Sequence, residues 1–477
     1  MERFFLAIAS LFFLGFYSAC NSEGKSIGDS GKELNRPNII LIMADDLGWG
    51  DVGFNGNKLV KTPALDEMAK KGMVFNRFYA AAPVCSPTRG SCLTGRHPFR
   101  YGVFHANVGK MEPEEVTLAE YLKEKGYSTG HFGKWHLGTL TNDIIDANRG
   151  GRDSGHYSPP WENGFDVCFS TESKVPTWNP MITPGKDAGD IGNRKPGNHF
   201  GTYYWSGPGA KVTDNLEGDD SRIIMDRVIP YIEEQTNGNS PFLVVIWFHT
   251  PHLPVLSGEK YCNLYAGHSV DVQHYYGSIS AMDEQIGRLN EKLEELNATE
   301  NTLIFFTSDN GPEGNTQEGR TQGSTGGFKG RKRSLYEGGI RVPAIAVWPA
   351  EIEARQRTDF PAVTSDYFPT LLEIFGEENQ LPVSPLDGVS LVNVWDENIK
   401  ERTTPIGFQF GKQKALIDNQ YKIHTSKDKV ELYDLLKDPF ETRDISNQNP
   451  AKVNEMKIRL SDFVRSCEKS REGVDYD

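Results

Sequence analysis

Positive charge is in short supply in this chain. Lysine and arginine total 51 against 65 aspartates and glutamates, a formal net charge of −14. That balance argues against a nucleic-acid-binding protein, whose affinity rests on a basic face. Cysteine is scarce as well, with 6 in 477 residues. Cys20, Cys85, Cys92, Cys168, Cys262 and Cys467 show no short repeated spacing, so no zinc-type pair is visible. One or two disulfides stay open, without a pairing that spacing can assign. There is no internal repeat. The only long apolar run lies at the start, where Arg3 precedes Phe4 to Tyr17 and Ser18-Ala19-Cys20 closes the stretch. It is too short to span a membrane and reads as an export signal.

Cys20, placed directly after that signal, resembles the lipid-attachment site of bacterial lipoproteins, although Tyr17 departs from the commonest form of the motif. The expectation is a signal peptide over 1–20 and a polar Gly/Ser-containing tether over 21–36. The protein would then be exported to the periplasm or cell surface of a bacterium, touching membrane only through a lipid at Cys20. The length exceeds what one core usually serves, so a large domain over 37–393 and a smaller one over 394–477 are expected.

Three continuous apolar runs, Ile39 to Ala44, Phe242 to Phe248 and Leu303 to Phe306, have the texture of strands buried on both faces of a parallel sheet. Each ends abruptly in ligand-capable residues: Asp45-Asp46, His249-Thr250-Pro251-His252, and Asp309-Asn310. Helices alternate with them. Thr117 to Glu120 is a capping box, Met282, Ile286, Leu289, Leu293 and Leu296 recur at helical spacing, and Asp366 to Phe375 reads as another helix. After about Asn393 short β-prone pieces and a closing helix around Val453 to Val464 suggest an α+β domain. The fold class is therefore α/β, a large mostly parallel sheet sandwiched by helices, with its site beyond the carboxyl ends of the strands. Between Leu140 and Val212 lies a long Gly-, Pro- and aromatic-rich insertion holding His156, Tyr157, Trp161, Trp178, Tyr203, Tyr204 and Trp205. With Arg149, Arg152 and Lys174 these rings would suit sugar stacking and pairing with anionic groups. Loop aromatics packed on the domain surface are the equal alternative.

Asp45, Asp46, Asp309 and Asn310 offer hard oxygen ligands at two strand ends, which suits calcium or magnesium rather than zinc. Two adjacent aspartates repel each other, so a bound cation would be the economical explanation. Gly133-Lys134-Trp135-His136 offers a cation and an imidazole on the same side if the segment is extended. His252 sits between Pro251 and Pro254 just past a buried strand, and Lys332 lies in the basic run Lys329 to Arg333.

Cys85-Ser86-Pro87-Thr88-Arg89, followed by Gly95-Arg96, matches Cys-x-Pro-x-Arg. This pattern resembles the maturation signal of the type I (formylglycine-dependent) sulfatases, the arylsulfatase family of the alkaline-phosphatase-like superfamily. The similarity runs from Pro37 to about Gly339, with a further family-like segment at Glu431 to Pro439. It implies that a maturation enzyme oxidises Cys85 to formylglycine (3-oxoalanine), whose hydrate supplies the attacking hydroxyl. It implies that Asp45, Asp46, Asp309 and Asn310 hold one Ca2+ against residue 85. Arg89 would stabilise the hydrate, Lys134 and Lys332 would grip sulfate oxygens, His136 would assist the attacking hydroxyl, and His252 would protonate the leaving group. The expected substrate is a sulfated polysaccharide or oligosaccharide, with ulvan and carrageenan as candidates. Other readings are a phosphodiesterase or phosphonate monoester hydrolase of the same superfamily, a non-catalytic lipoprotein that binds sulfated glycan, and a sulfate transferase.

Overall fold

The computed structural model describes residues 36–147, 149, 154–397 and 399–476. The export signal, Cys20, the tether up to residue 35 and Arg152 lie outside them. The apolar runs become the middle of a ten-stranded sheet. Its parallel centre is ordered Thr302–Ser308, Asn38–Ala44, Phe242–Trp247, Ser128–Lys134, Val167–Thr171. Ile345–Val347, Met73–Phe75 and Gln356–Thr358 extend one edge, and Trp205–Gly207 and Ala210–Lys211 the other. Because side chains alternate along a strand, Ile39, Leu41 and Met43 enter one core layer while Ile40, Ile42 and Ala44 enter the opposite one. The first layer is covered by the helices Leu118–Glu124 and Tyr367–Ile374, the second by Asp220–Asn237 and Val270–Glu295.

Register places the site. Ala44 pairs with Ser308, Met43 and Gly133 both pair with Trp247, and Lys134 pairs with Thr171. All five parallel strands thus stop at one edge, and the polar residues that follow them converge there, where ligands bind in open α/β sheets.

The capping box at Thr117 forms as read, the hydroxyl accepting from Glu120 N–H at 3.2 Å and the Glu120 carboxylate accepting from Thr117 N–H at 2.7 Å. The closing helix is longer than its apolar stripe, Pro450–Arg471. It packs on one face of a four-stranded antiparallel sheet, Ile406–Phe410, Gln413–Asp418, Tyr421–Ser426 and Lys429–Asp434. The other face of that sheet presents Phe408, Ile417 and Tyr433 to Tyr79, Val84 and Leu335 of the larger layer. All five described cysteines are free thiols.

The two layers are also joined by buried charge. Lys422 Nζ lies 3.0 Å from Glu337 Oε1 and 2.9 Å from Glu441 Oε1, with all three side chains at 0% exposure. Removing the cation would leave Glu441 without an ion pair among the described residues, in a dry interior, and Glu337 with Arg341, 3.4 Å away. Lys422→Met is therefore expected to cost about 3–5 kcal/mol, read as a lower urea midpoint. A loss under about 1 kcal/mol would show that this pair contributes no more than a surface bridge.

The 140–212 insertion is not the structureless segment its composition suggests. Val167–Thr171 within it is a strand of the central sheet. Tyr204 and Trp205 are core residues at 0% and 2% exposure, with Tyr204 stacked on Phe169 and the Trp205 indole N–H donating to Asp146. Arg149 is buried against Glu172 and Lys174 pairs with Asp190. For Tyr204 and Trp205 the sugar-stacking reading is corrected, since burial occupies the faces a sugar would need, and for Arg149 the anion-pairing reading is corrected, since Glu172 already meets its charge. Trp178, Tyr157 and Tyr203 keep part of their surface in solvent.

Candidate active site

Asp45 and Asp46 leave the Asn38–Ala44 strand through a left-handed residue, Asp46, with φ +66°. The turn is fixed by two bonds to the neighbouring strand tip. Asp46 N–H donates to Asp309 Oδ1 at 3.1 Å, and Leu47 N–H donates to Ser308 Oγ at 3.0 Å. Holding a non-glycine residue there costs on the order of 1 kcal/mol, which these bonds offset.

Cys85 opens the helix Cys85–Thr94, in which every residue is buried. The Thr88 hydroxyl bonds back to both N–H and C=O of Ala82, at 3.2 and 3.1 Å, and sets the entry angle. Arg89, one turn beyond Cys85, shares its helix face. Gly90 follows because a Cβ there would sit 2.5 Å from a Tyr101 ring carbon. The Arg89 guanidinium lies 2.5 Å from Asp309 Oδ2 and 3.7 Å from Asp45 Oδ2. It also donates to Lys134 O at 3.1 Å and stands over the Trp247 ring.

Lys134 Nζ is 2.6 Å from Asp45 Oδ2, and Lys332 Nζ is 2.5 Å from Asp46 Oδ1, which also accepts from Asn310 Nδ2 at 2.7 Å. His252 Nδ1 lies 2.6 Å from Leu253 O and acts as donor there, which leaves Nε2 facing Asp46 Oδ2 at 3.7 Å. His136 Nε2 meets Asn107 Oδ1 at 2.8 Å. The segment Lys134–His136 is not extended throughout, since His136 has φ +60°. It is the loop conformation, and not strand alternation, that sets this imidazole. The ligand atoms of Asp45, Cys85 and Asp309 all lie within 4.8 Å of one another, as do those of Asp45, Asp46 and His252. The structure thus gathers Asp45, Asp46, Cys85, Arg89, Lys134, His252, Asp309, Asn310 and Lys332 at the strand ends, with His136 beside them on Asn107.

Three carboxylates face three fixed cations, Arg89, Lys134 and Lys332, so the repulsion expected between Asp45 and Asp46 is already offset by the protein. Burial opposes ionisation of Asp45, but Lys134, His252, Arg89 and Lys332 outweigh it and hold the carboxyl well below its usual range. Asp309 goes the other way, to about 7, through burial and then the charge of Asp45. Burial pushes the Cys85 thiol up and His252 down to about 4. Burial, and then the Lys134 charge, also hold His136 well below its normal value.

It is unused lone pairs, and not repulsion, that point to a metal. Asp45 Oδ1, Asp46 Oδ2 and Asn310 Oδ1 are buried and accept no hydrogen bond, a rare condition for such atoms. Three dry oxygens beside residue 85 fit a hard divalent cation. Sequence reading passed over two residues of this site. Asn107 holds His136, and Glu313 Oε2 stands 3.4 Å from Lys332 Nζ. Glu313 lies three residues past Asn310, which was the available signal.

The sequence signature of the family described as Sulfatase matches residues 37–377. The chain belongs to the sulfatase family. It is accordingly a sulfuric ester hydrolase on an alkaline-phosphatase-like fold. A second signature, described as N-sulphoglucosamine sulphohydrolase, C-terminal, matches residues 325–466. This sulfatase is 34% identical to Arylsulfatase G of Mus musculus over 374 residues, covering 73% of this chain and 67% of that one. It is 32% identical to N-acetylgalactosamine-6-sulfatase of Mus musculus over 407 residues, 81% and 72% of the two chains. Among solved structures it resembles Ps i-CgsB, with a TM-score of 0.75, 28% identity, and 91% and 93% of the two chains covered. That protein has also been solved in complex with k-i-k-neocarrahexaose.

Proposed function

We propose that this sulfatase hydrolyses sulfate esters of a carbohydrate with residue 85 as formylglycine and one Ca2+ held by Asp45, Asp46, Asp309 and Asn310. The observation that carries the reading is the convergence of Cys85 with Asp45 and Asp309 inside a 4.8 Å cluster, together with the buried oxygens Asp45 Oδ1, Asp46 Oδ2 and Asn310 Oδ1, which accept no hydrogen bond. The hydrated aldehyde would supply both the attacking hydroxyl and the route by which sulfate is released. The cation would neutralise charge on that hydroxyl and on a sulfate oxygen.

Around them the chain's own residues do distinct work. Lys134 and Lys332 are held at the rim of the carboxylate cluster, where they can bind the non-bridging oxygens of a tetrahedral anion. Arg89, anchored on Asp309, orients residue 85 from the same helix face. His136, fixed by Asn107, assists the attacking hydroxyl. His252 turns Nε2 to the cluster, where it can pass a proton to the leaving oxygen, with Lys332 beside it. Conversion of Cys85 requires a maturation enzyme, and the N-terminal segment supports export with a lipid at Cys20.

Sulfated carbohydrate is supported by the oligosaccharide complex of Ps i-CgsB and by the name of the relative N-acetylgalactosamine-6-sulfatase; ulvan and carrageenan remain the polymers to try. The test is a screen of defined sulfated oligosaccharides, small aryl sulfates, and matched phosphate mono- and diesters with converted enzyme. The expected result is sulfate release from at least one oligosaccharide at a kcat/KM above that for any phosphate ester. Desulfation confined to aryl esters would remove the carbohydrate reading. Faster phosphate-ester cleavage would favour the phosphodiesterase or phosphonate hydrolase reading. Binding of sulfated glycan without turnover by converted enzyme would favour a non-catalytic role.

A further inference from the structure

Lys332 is followed by a residue whose placement has no part in the roles above. Arg333 adopts φ +73°, a conformation that costs an arginine on the order of 1 kcal/mol, and the surroundings hold it there. Its N–H donates to Pro83 O at 2.8 Å, two residues before Cys85, and its carbonyl accepts from Gln413 Nε2 at 2.9 Å. The guanidinium forms a two-pronged pair with Glu313, Nη1 to Oε1 at 2.6 Å and Nη2 to Oε2 at 2.9 Å. Glu313 is itself fixed by Gly314 N–H at 2.8 Å and touches Lys332 at 3.4 Å.

The three side chains make a gradient from the chemistry to solvent. Lys332 is 4% exposed, Glu313 19% and Arg333 52%. Lys332 and Arg333 also line an open cavity of about 540 Å³ together with Asn315, Arg331 and Ser334, within the size range of ligand sites. A sulfate seated against Lys332 would leave the group it is esterified to beside Glu313 and Arg333.

We infer that Glu313 and Arg333 form the subsite for the hydroxyl-bearing ring that carries the sulfate ester. The inference rests on the carbohydrate reading above. The charge of Arg333 is met by Glu313, and the guanidinium of Arg331, which lines the same cavity, is taken up by the carbonyl oxygens of Gly314, Glu313 and Thr321. A further sulfate placed there would have to break the pair and face the carboxylate. A sugar hydroxyl, donor and acceptor at once, matches both halves without separating them. Burial works against ionisation of Glu313, but the hydrogen bonds from Arg333 and the charge of Lys332 outweigh it and keep the carboxylate below its usual range. It is therefore an acceptor at neutral pH, leaving Arg333 as the donor.

Arg333→Gly is the informative change, because glycine takes the left-handed backbone without strain while removing the fork. Arg333→Lys keeps charge but loses the planar two-pronged geometry. The measurement is the ratio of kcat/KM for the best oligosaccharide of the screen to that for a small aryl sulfate, with melting temperatures to verify folding. Arg333→Gly should lower this ratio by about 10–100-fold, mostly through KM, as expected when paired polar groups lose a substrate hydroxyl. Arg333→Lys should stay nearer the glycine variant than the wild type. An unchanged ratio in Arg333→Gly overturns the inference while leaving the sulfatase-on-carbohydrate reading intact. A full recovery by lysine, or a loss confined to substrates with a second sulfate, overturns it in favour of simple charge recognition. If the wild type cleaves the aryl ester and no oligosaccharide, the inference and the carbohydrate reading fail together.

Discussion

Cys85→Ser is expected to lower sulfate release by on the order of 10⁴-fold or more, the scale seen when a nucleophile is removed from an otherwise intact site. The thiol is buried, opens the Cys85–Thr94 helix and sits in a pocket that a hydroxyl fills with less volume, so folding should survive. The melting temperature of the variant should stay within a few degrees of the wild type. An unconverted serine lacks the second hydroxyl of an aldehyde hydrate, so any sulfate it accepted would have no internal route of release. A variant with retained turnover would show that residue 85 is not the nucleophile's source. One with no turnover and a collapsed melting temperature would report on folding, and Cys85→Ala, which adds no polar atom to the site, then supplies the independent reading.

Removal of divalent metal is the second large effect. Asp45 Oδ1, Asp46 Oδ2 and Asn310 Oδ1 accept no hydrogen bond in the folded chain, and a cation would satisfy all three. Chelation should therefore cut turnover by at least about 10²-fold, since a metal at such a site supplies several kcal/mol of charge stabilisation. Added Ca2+ should restore it. Stability should move with it, because an ion bound at 100 times its Kd contributes about 2.7 kcal/mol to the folded state. Asp46→Asn should weaken the response to Ca2+ in both assays. Because Lys134, Lys332 and Arg89 already balance the three carboxylates, the apo protein should stay folded. Loss of the fold on chelation would contradict the charge count described here, and unaltered activity after complete stripping would contradict the metal.

Much of this site was legible before any coordinates. A strand buried on both faces must be apolar throughout, so Ile39 to Met43 and Leu303 to Phe306 announce themselves. The abrupt change to Asp45-Asp46 and Asp309-Asn310 marks where each strand stops. Parallel register then brings those ends together without further information. What stayed hidden was set by contacts distant in sequence. Val167–Thr171 is short and lies in a glycine- and proline-rich stretch, so nothing local distinguishes it from loop. It becomes a strand because Ser128–Lys134 offers it a free edge. Tyr204 and Trp205 read as loop aromatics until Phe169 and Asp146 claim them. Lys422 looks like any strand lysine until Glu337 and Glu441 close over it from other segments. The left-handed turns at Asp46 and His136 are tertiary effects in the same sense, since neither residue prefers that backbone alone.

The central claim is that residue 85, as an aldehyde, does the chemistry beside the acidic cluster. The direct measurement is the fraction of chains carrying the aldehyde at position 85, by peptide mass spectrometry, against sulfate-release rate per chain in preparations of graded conversion. The account predicts a straight line through the origin. Substantial turnover in a preparation whose residue 85 is entirely unmodified cysteine would contradict it.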